Sequence, residues 1–399
     1  MSSTAVPDAR EISRRTGSET ASDLSSGRVN TAEGSDVAGT SNKNALEARK
    51  DNIVERGDDQ VKRRPIPRRR KKQEETSWIM VLTPILLVLF AYVALRVSAA
   101  VANPKPKFNW ANTKYVYAFG DSYTFVGGTK GHANFSFIGD LDNLLPSRQE
   151  LLSSEIIPHN TSSDGSNWIE FLTGCFEGQP AQCFPHQLWD FAFAGADIDG
   201  KLLPLHHSFT VPLVDQVRQW VTSASNVIPH PADQTITFWW VGINDTGDTV
   251  TNATITDFPA FWEEEMTSYF KAVEFAVTRS LSGTHFFINV PPEHRNPSFV
   301  NTPRAPIIQA HIQQFNSILN VHVKQFADKF RELNVLTFDA FEFFNKILDH
   351  HEEFGFKNIT GFCQCSDPKF FWFDAGHPTE RVHKLIAEAI EDQLVEASR

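Results

Sequence analysis

The sequence predicts an α/β fold of three layers: a five-stranded parallel sheet between two layers of helices, preceded by a disordered tail and one transmembrane helix. Two patterns and one placement carry this expectation. Short apolar runs rich in aromatic or β-branched residues recur at 114–119, 187–194, 234–241, 284–290 and 333–339. Longer segments of helical period separate them at 256–281, 306–331 and 378–396, with shorter ones near 166–174 and 211–223. A strand–helix–strand crossover returns the chain to the same end of a sheet, so this alternation gives parallel strands covered on both faces. Polar turn residues stand directly after the apolar runs, where such sheets carry their chemistry.

In chain order, the first segment is a tail over 1–75. Residues 1–60 are rich in Ser, Thr, Ala, Gly and Asp, almost without aromatics and without an apolar period. Such a segment cannot bury enough surface to offset its ordering entropy, so disorder is expected. Eight Lys and Arg then crowd into residues 62–72, and the uncharged run Thr76–Leu95 follows, with Trp78 and Tyr92 near its ends. Its twenty residues, at ~1.5 Å each, match the ~30 Å hydrocarbon core of a membrane. Pro84 implies a mild kink, and Arg96 can snorkel to the far interface. The run lies too deep in the chain for a cleaved signal peptide, and the basic cluster holds its own side in the cytosol. The expectation is a single-pass type II membrane protein. A cytosolic tail over 1–75 leads to a signal anchor over 76–96 and a linker over 97–112. A domain over 113–399 then lies in the secretory-pathway lumen or outside the cell.

The remaining composition agrees with one large domain. The chain is 41% hydrophobic with 33 Phe and 9 Trp, ample for a core. Its formal charge of −11 is uneven, because residues 1–75 carry 16 Lys/Arg against 13 Asp/Glu, which leaves −14 for the rest. An acidic main domain argues against a nucleic-acid partner. All four cysteines, Cys175, Cys183, Cys363 and Cys365, lie beyond the apolar run, as an oxidising compartment allows. Pairing within each cluster or across the two is open on spacing alone. The glycosylation sequons at Asn134, Asn160, Asn252 and Asn358 lie there too. Neither cysteine spacing resembles a zinc site. His206-His207 and His350-His351 lack acidic or cysteine partners at ligand spacing, so they read as solvated surface, and no metal or cofactor is expected.

The loops carry the chemistry. After the first apolar run comes Gly120-Asp121-Ser122, after the second Ala194-Gly195-Ala196-Asp197, and after the third Gly242-Ile243-Asn244-Asp245. Phe373-Asp374-Ala375-Gly376-His377-Pro378 precedes the last long amphipathic segment. Asp and His three apart, with Pro378 at the expected first helical position, present both side chains on one side. A hydroxyl, an imidazole base, a carboxylate to orient it and oxyanion donors are the parts of an acyl-transfer site.

These four segments, in this order and spacing, resemble blocks I, II, III and V of the SGNH hydrolases, also called GDSL esterases/lipases, whose fold is flavodoxin-like. The resemblance covers about 114–390. Val290-Pro291-Pro292, Phe315-Asn316-Ser317-Ile318-Leu319 and Phe356-Lys357-Asn358-Ile359-Thr360 make it similar to the plant and fungal branch, particularly the fungal acetylesterase-like carbohydrate esterases of family sixteen. Tyr123 departs from the family's leucine after the nucleophile. The resemblance implies that Ser122 is the nucleophile, His377 the acid and base, and Asp374 its orienting carboxylate. It likewise implies that the Ser122 and Gly195 amides and the Asn244 side chain form the oxyanion hole. Asp121 and Asp245 read as structural hydrogen-bonders, and Asn244, formally a sequon, should stay unmodified.

The function expected is hydrolysis of carboxylic esters, with short acyl groups, especially acetyl on carbohydrate, favoured by the resemblance. A lipase or lysophospholipase beside the membrane is the nearest rival, and a secretory-pathway glycan O-acetyltransferase would use the same residues. A non-catalytic binding module is disfavoured by the intact set Ser122, Gly195, Asn244, Asp374 and His377.

Overall fold

The computed structural model describes Lys105 and residues 107–399. The tail expected over 1–75 and the anchor over 76–96 therefore lie outside the described residues, as does the linker up to residue 104. Among the described residues no helix is long and apolar enough to cross a membrane.

The five expected strands form one parallel sheet. They are β1 (Tyr115–Gly120), β2 (Gln187–Asp190), β3 (Thr235–Trp240), β4 (Thr284–Ile288) and β5 (Asn334–Phe338), in the spatial order β2-β1-β3-β4-β5. Every pairing is parallel, with Tyr117 of β1 opposite Trp189 of β2 and Thr237 of β3. All residues of β1 to β4 are buried, which is why these strands read as continuous apolar runs and not as an alternation. Trp239 and Trp240 are both fully buried and, as successive strand residues, point to opposite faces. Trp239 stacks on Phe119 at 4.6 Å between centroids, whereas Trp240 meets Trp168 and Tyr123 edge-on.

Eight helices flank or edge the sheet among the described residues: α1 (Arg148–Ser153), α2 (Trp168–Thr173), α3 (Leu213–Gln219), α4 (Ile243–Asp248), α5 (Phe258–Thr278), α6 (Ala305–Lys329), α7 (Ala340–Asp349) and α8 (Glu380–Ala397). α2 packs on α8, and α5 packs between α3 and α6. The long periodic segments therefore appear within a few residues of their expected bounds. The short α1, α4 and α7 have too few turns to announce themselves by period; a capping box at Ser147 and Glu150 starts α1, and Asp339 caps α7.

Two boundaries differ from expectation. Phe108 and Trp110, expected in the linker, are buried in the core, where Trp110 stacks on His186 at 3.9 Å and its amide donates to Ser398 Oγ. An isolated aromatic pair has no period to mark it as core. Pro378 does not start the last helix: α8 begins at Glu380 behind Thr379, because Pro378 bridges to Trp372 and the Thr379 amide donates to the Phe371 carbonyl. Phe371 and Trp372 are fully buried and pack the core beside this turn.

Candidate active site

β1 lies between β2 and β3, so the order of strands reverses there, and the loops leaving their carboxyl ends meet at that end of the sheet. The first of these loops is held from three sides. Gln216 of α3 clamps Gly120, accepting from its N–H at 3.0 Å and donating to its carbonyl at 2.8 Å. Asp121, fully buried, accepts from the Tyr123 amide, and its own carbonyl receives the Thr124 and Phe125 amides. Asn167, the residue that caps α2, donates to the carbonyls of Thr124 and Phe125 at 2.8 and 2.9 Å. Ser122 is thereby fixed on a one-turn loop.

The loop after β2 and the start of α4 meet beside it. Gly195 has a φ of +77°, in the left-handed region that a side chain disfavours. Gly242 has a φ of +117°, and a Cβ there would sit 2.3 Å from the Phe315 ring, so the bare backbone lets α4 start against α6. Asn316, beside Phe315, grips Val290 through both its amide atoms at 2.9 Å, which accounts for the Phe-Asn pair and the Val-Pro-Pro segment together. Asn244, half-buried in the first turn of α4, donates to the Ala196 carbonyl at 3.0 Å. A primary amide has two N–H groups, so one remains for a ligand. Among the described residues the amides of Ser122 and Gly195 have no backbone acceptor.

The loop ahead of α8 completes the arrangement. Asp374 Oδ1 accepts the amides of Gly376 at 2.8 Å and His377 at 2.7 Å, a turn that points both side chains the same way. His377 Nδ1 lies 2.9 and 3.0 Å from the two Asp374 oxygens, and His377 Nε2 lies 2.8 Å from Ser122 Oγ. Burial pushes the His377 ring down, but the hydrogen bond and charge of Asp374, with Glu293 and Asp121 nearby, outweigh it and hold the ring above its ordinary value. Burial likewise pushes Asp374 up, and the His377 ring and the two loop amides bring it below the usual carboxylate value. Asp121 and Asp245 each accept a backbone amide, and burial lifts each to about 7.

The structure thus gathers Ser122, Gly195, Asn244, Asp374 and His377. The cysteines pair within their clusters, Cys175 with Cys183 and Cys363 with Cys365. The sequons lie apart from the triad: Asn134 is exposed and Asn160 half-buried, bonded side chain to side chain, while Asn252 and Asn358 are half-buried. One reading needs correction. His351 does no more than meet the Phe356 carbonyl and the exposed His350 lies 3.4 Å from Glu353 Oε1, but His206 is not a solvated surface residue without acidic partners, since its Nε2 lies 2.7 Å from Asp248 Oδ2. The partner is forty-two positions away in the chain, so ligand spacing could not display it. Three supporting residues also escaped the sequence reading: Gln216, Glu293 and the hydroxyl of Tyr123. A glutamine inside an amphipathic helix has no local mark of burial, but Tyr123 in place of leucine was a visible sign of a polar contact.

A doubly wound α/β sheet with a serine, histidine and aspartate at its switch point defines an ester-cleaving class of hydrolase. The chain belongs to the GDSL-like lipase/acylhydrolase family, whose model matches residues 116–390. It is 27% identical over 290 residues to an acetylesterase of Thermothelomyces thermophilus, covering 70% of this chain and 88% of that protein. Among solved structures it is similar to an acetylxylan esterase from Geobacillus stearothermophilus, at 13% identity and a TM-score of 0.36, covering 73% of this chain and 96% of that one. An alpha/beta hydrolase enzyme from the metagenome of Lake Arreo, Spain, is similar at 15% identity and a TM-score of 0.40, covering 72% and 96%. The protein is an ester hydrolase of this family.

Proposed function

We propose that the protein is a serine esterase that removes short acyl groups, acetyl foremost, from carbohydrate, through an acyl-Ser122 intermediate. The observation that carries the reading is the unbroken line Ser122 Oγ, His377 Nε2, His377 Nδ1, Asp374. His377 Nε2 takes the Ser122 proton as Oγ bonds to the ester carbonyl carbon. The carbonyl oxygen becomes an oxyanion, which the Ser122 and Gly195 amides and the Asn244 side chain receive. The C–O bond to the alcohol then breaks, and His377 hands its proton to the departing oxygen. Water repeats the sequence, with His377 taking its proton, the acyl–Oγ bond breaking and Ser122 regaining its hydrogen. Asp374 keeps the ring in the tautomer that leaves Nε2 free and stabilises the imidazolium.

The preference for acetyl rests on the acetylesterase relative, and carbohydrate as the carrier rests on the Val290-Pro291-Pro292, Phe315–Leu319 and Phe356–Thr360 segments that resemble the fungal carbohydrate esterases. We place the domain on the far side of a membrane from the basic cluster, anchored by residues 76–96; two disulfides and four sequons support an oxidising, glycosylating compartment.

The test uses the full-length protein beside Ser122→Ala, on nitrophenyl esters from acetyl to palmitoyl and on acetylated xylo-oligosaccharides. The expected result is turnover greatest on acetyl and lower by about a thousandfold or more in the variant. A long-chain optimum would move the assignment to a lipase. No hydrolysis by folded protein would sink the reading.

A further inference from the structure

Beside the oxyanion loop lies a group of side chains that the ester chemistry leaves unused. Asp197 follows Gly195-Ala196, is fully buried, and neither of its carboxylate oxygens has a hydrogen-bond partner among the described residues. One oxygen of Asp197, a ring nitrogen of His206 and an oxygen of Asp248 all lie within 4.8 Å of one another. Behind Asp197, the buried Glu265 of α5 has both oxygens unpartnered, and Asp245 Oδ2 and the Tyr269 hydroxyl are unpartnered as well. A carboxylate taken out of water without a partner is costly. A proton would remove the charge at Asp197 but would bring its oxygens no donor. A cation resolves it.

We propose that Asp197, His206 and Asp248 form a binding site for one divalent first-row transition cation of the zinc or manganese class. Two carboxylates and a neutral imidazole balance the charge of such an ion. A mixed nitrogen and oxygen set selects it over calcium or magnesium, which take oxygen ligands. Bonds of ~2.1 Å at tetrahedral angles put two ligand atoms about 3.4 Å apart, so the widest separation, up to 4.8 Å, closes by about 1–1.5 Å on binding. His206 and Asp248 are the exposed members and are free to make that movement. A cavity of about 450 Å³ lined by Leu205, His206, Gly247, Asp248, Asn252 and Arg304 gives the ion its entry path and leaves room for water in the remaining positions.

The position gives the ion a purpose that does not involve touching the ester. Asp197 and His206 lie on the loop that carries Gly195, and Asp248 ends the helix that carries Asn244. Binding would tie the two together from behind, steadying two of the three oxyanion donors. That consequence rests on the esterase reading; the binding itself does not.

The experiment is calorimetric titration of untagged full-length protein, stripped with chelator and held in detergent micelles, with zinc, manganese and calcium chlorides in turn. Thermal unfolding is followed in parallel. One equivalent of zinc or manganese should bind and raise the unfolding temperature, and His206→Gln and Asp248→Asn should each weaken binding by about tenfold or more. Asp197→Asn should do the same; should this buried variant not fold, the two exposed variants carry the test. No saturable binding up to about 1 mM, which is weaker than about −4 kcal/mol, would overturn the proposal. Binding of equal strength in wild type and both exposed variants would overturn it as well, and a calcium preference would overturn the metal class. Because the titration reads binding alone, its failure is distinct from a failure of esterase activity.

Discussion

The Tyr123 hydroxyl lies 2.8 Å from Glu293 Oε1 and, on its other side, 2.7 Å from the Gly376 carbonyl. A phenol has one hydrogen to give, and both neighbours are acceptors unless the carboxyl is protonated. Burial pushes Glu293 up to about 7, so near neutrality its proton is available to Tyr123, whose own hydrogen then goes to Gly376. Asn296 donates to the other Glu293 oxygen. The relay steadies the loop between Asp374 and His377 from a residue that never meets the substrate.

Tyr123→Phe should therefore lower kcat by about tenfold, the worth of one buried hydrogen bond of roughly 1 kcal/mol or somewhat more, with KM little changed. Glu293→Gln, whose amide can donate to Tyr123 and accept from Asn296, should retain near wild-type turnover, whereas Glu293→Ala should resemble Tyr123→Phe. Equal losses in the Gln and Ala variants would refute the relay. Steady-state kinetics on a nitrophenyl acetate reads all three.

The pH profile of kcat/KM should be bell-shaped. His377 must be neutral to accept the Ser122 proton, and its ring is held above the ordinary imidazole value, so the acid limb should fall above that value as pH drops. On the alkaline side Glu293 loses the proton that it gives to Tyr123 as pH rises through about 7. Activity should decline there in the wild type and decline less in Glu293→Gln.

Asn244→Ala should lower kcat by about 10²–10³ through the loss of one oxyanion donor, with the unfolding temperature nearly unchanged. Asp374→Asn should cost about 10⁴, because the ring is then presented in the wrong tautomer. A variant of Asn244 that loses only KM would place that amide in substrate binding and not in oxyanion stabilisation.

Gly242→Ala should destabilise the fold by about 1–3 kcal/mol, since the new methyl meets Phe315 at a φ that disfavours side chains. Gly242→Ala with Phe315→Leu should recover part of the loss, measured by denaturant unfolding.

Global stability should fall as pH rises. Burial raises Asp121 and Glu293 to about 7 and Glu170 to about 8, against ordinary values of 3.8 and 4.5. Between those limits the folded chain holds protons that the unfolded chain has released, so the slope of stability with pH is negative. Their contribution is complete below the ordinary carboxylate range and is lost as pH climbs through the folded values. Urea unfolding at about pH 5.5 and about pH 8.5 should give the lower midpoint at the higher pH; a higher midpoint there would refute it.

The large helices and β1 to β4 were legible because each buries a long periodic or continuous apolar stretch, and the mostly half-buried β5 by its apolar Val335, Leu336 and Phe338. Gln216 and Glu293 were not, since a polar residue buried by a distant segment looks locally like one exposed to water, nor was the pairing of His206 with Asp248, which joins two distant segments. The same holds for Trp110, whose core role depends on His186 and Ser398, far away in the chain.

The sequence by itself determined the order of the layers and the four loops that bear Ser122, Gly195, Asn244, Asp374 and His377, because hydrophobic period and turn chemistry are local properties. Only the tertiary structure decided what stands behind those loops. The strand order brings three chain-distant loops to one end of the sheet, and packing determines which cysteines meet, which carboxyls lose water and which hydroxyl bridges Glu293 to Gly376. Contacts between residues far apart in the chain depend on that closure, and no local pattern encodes them.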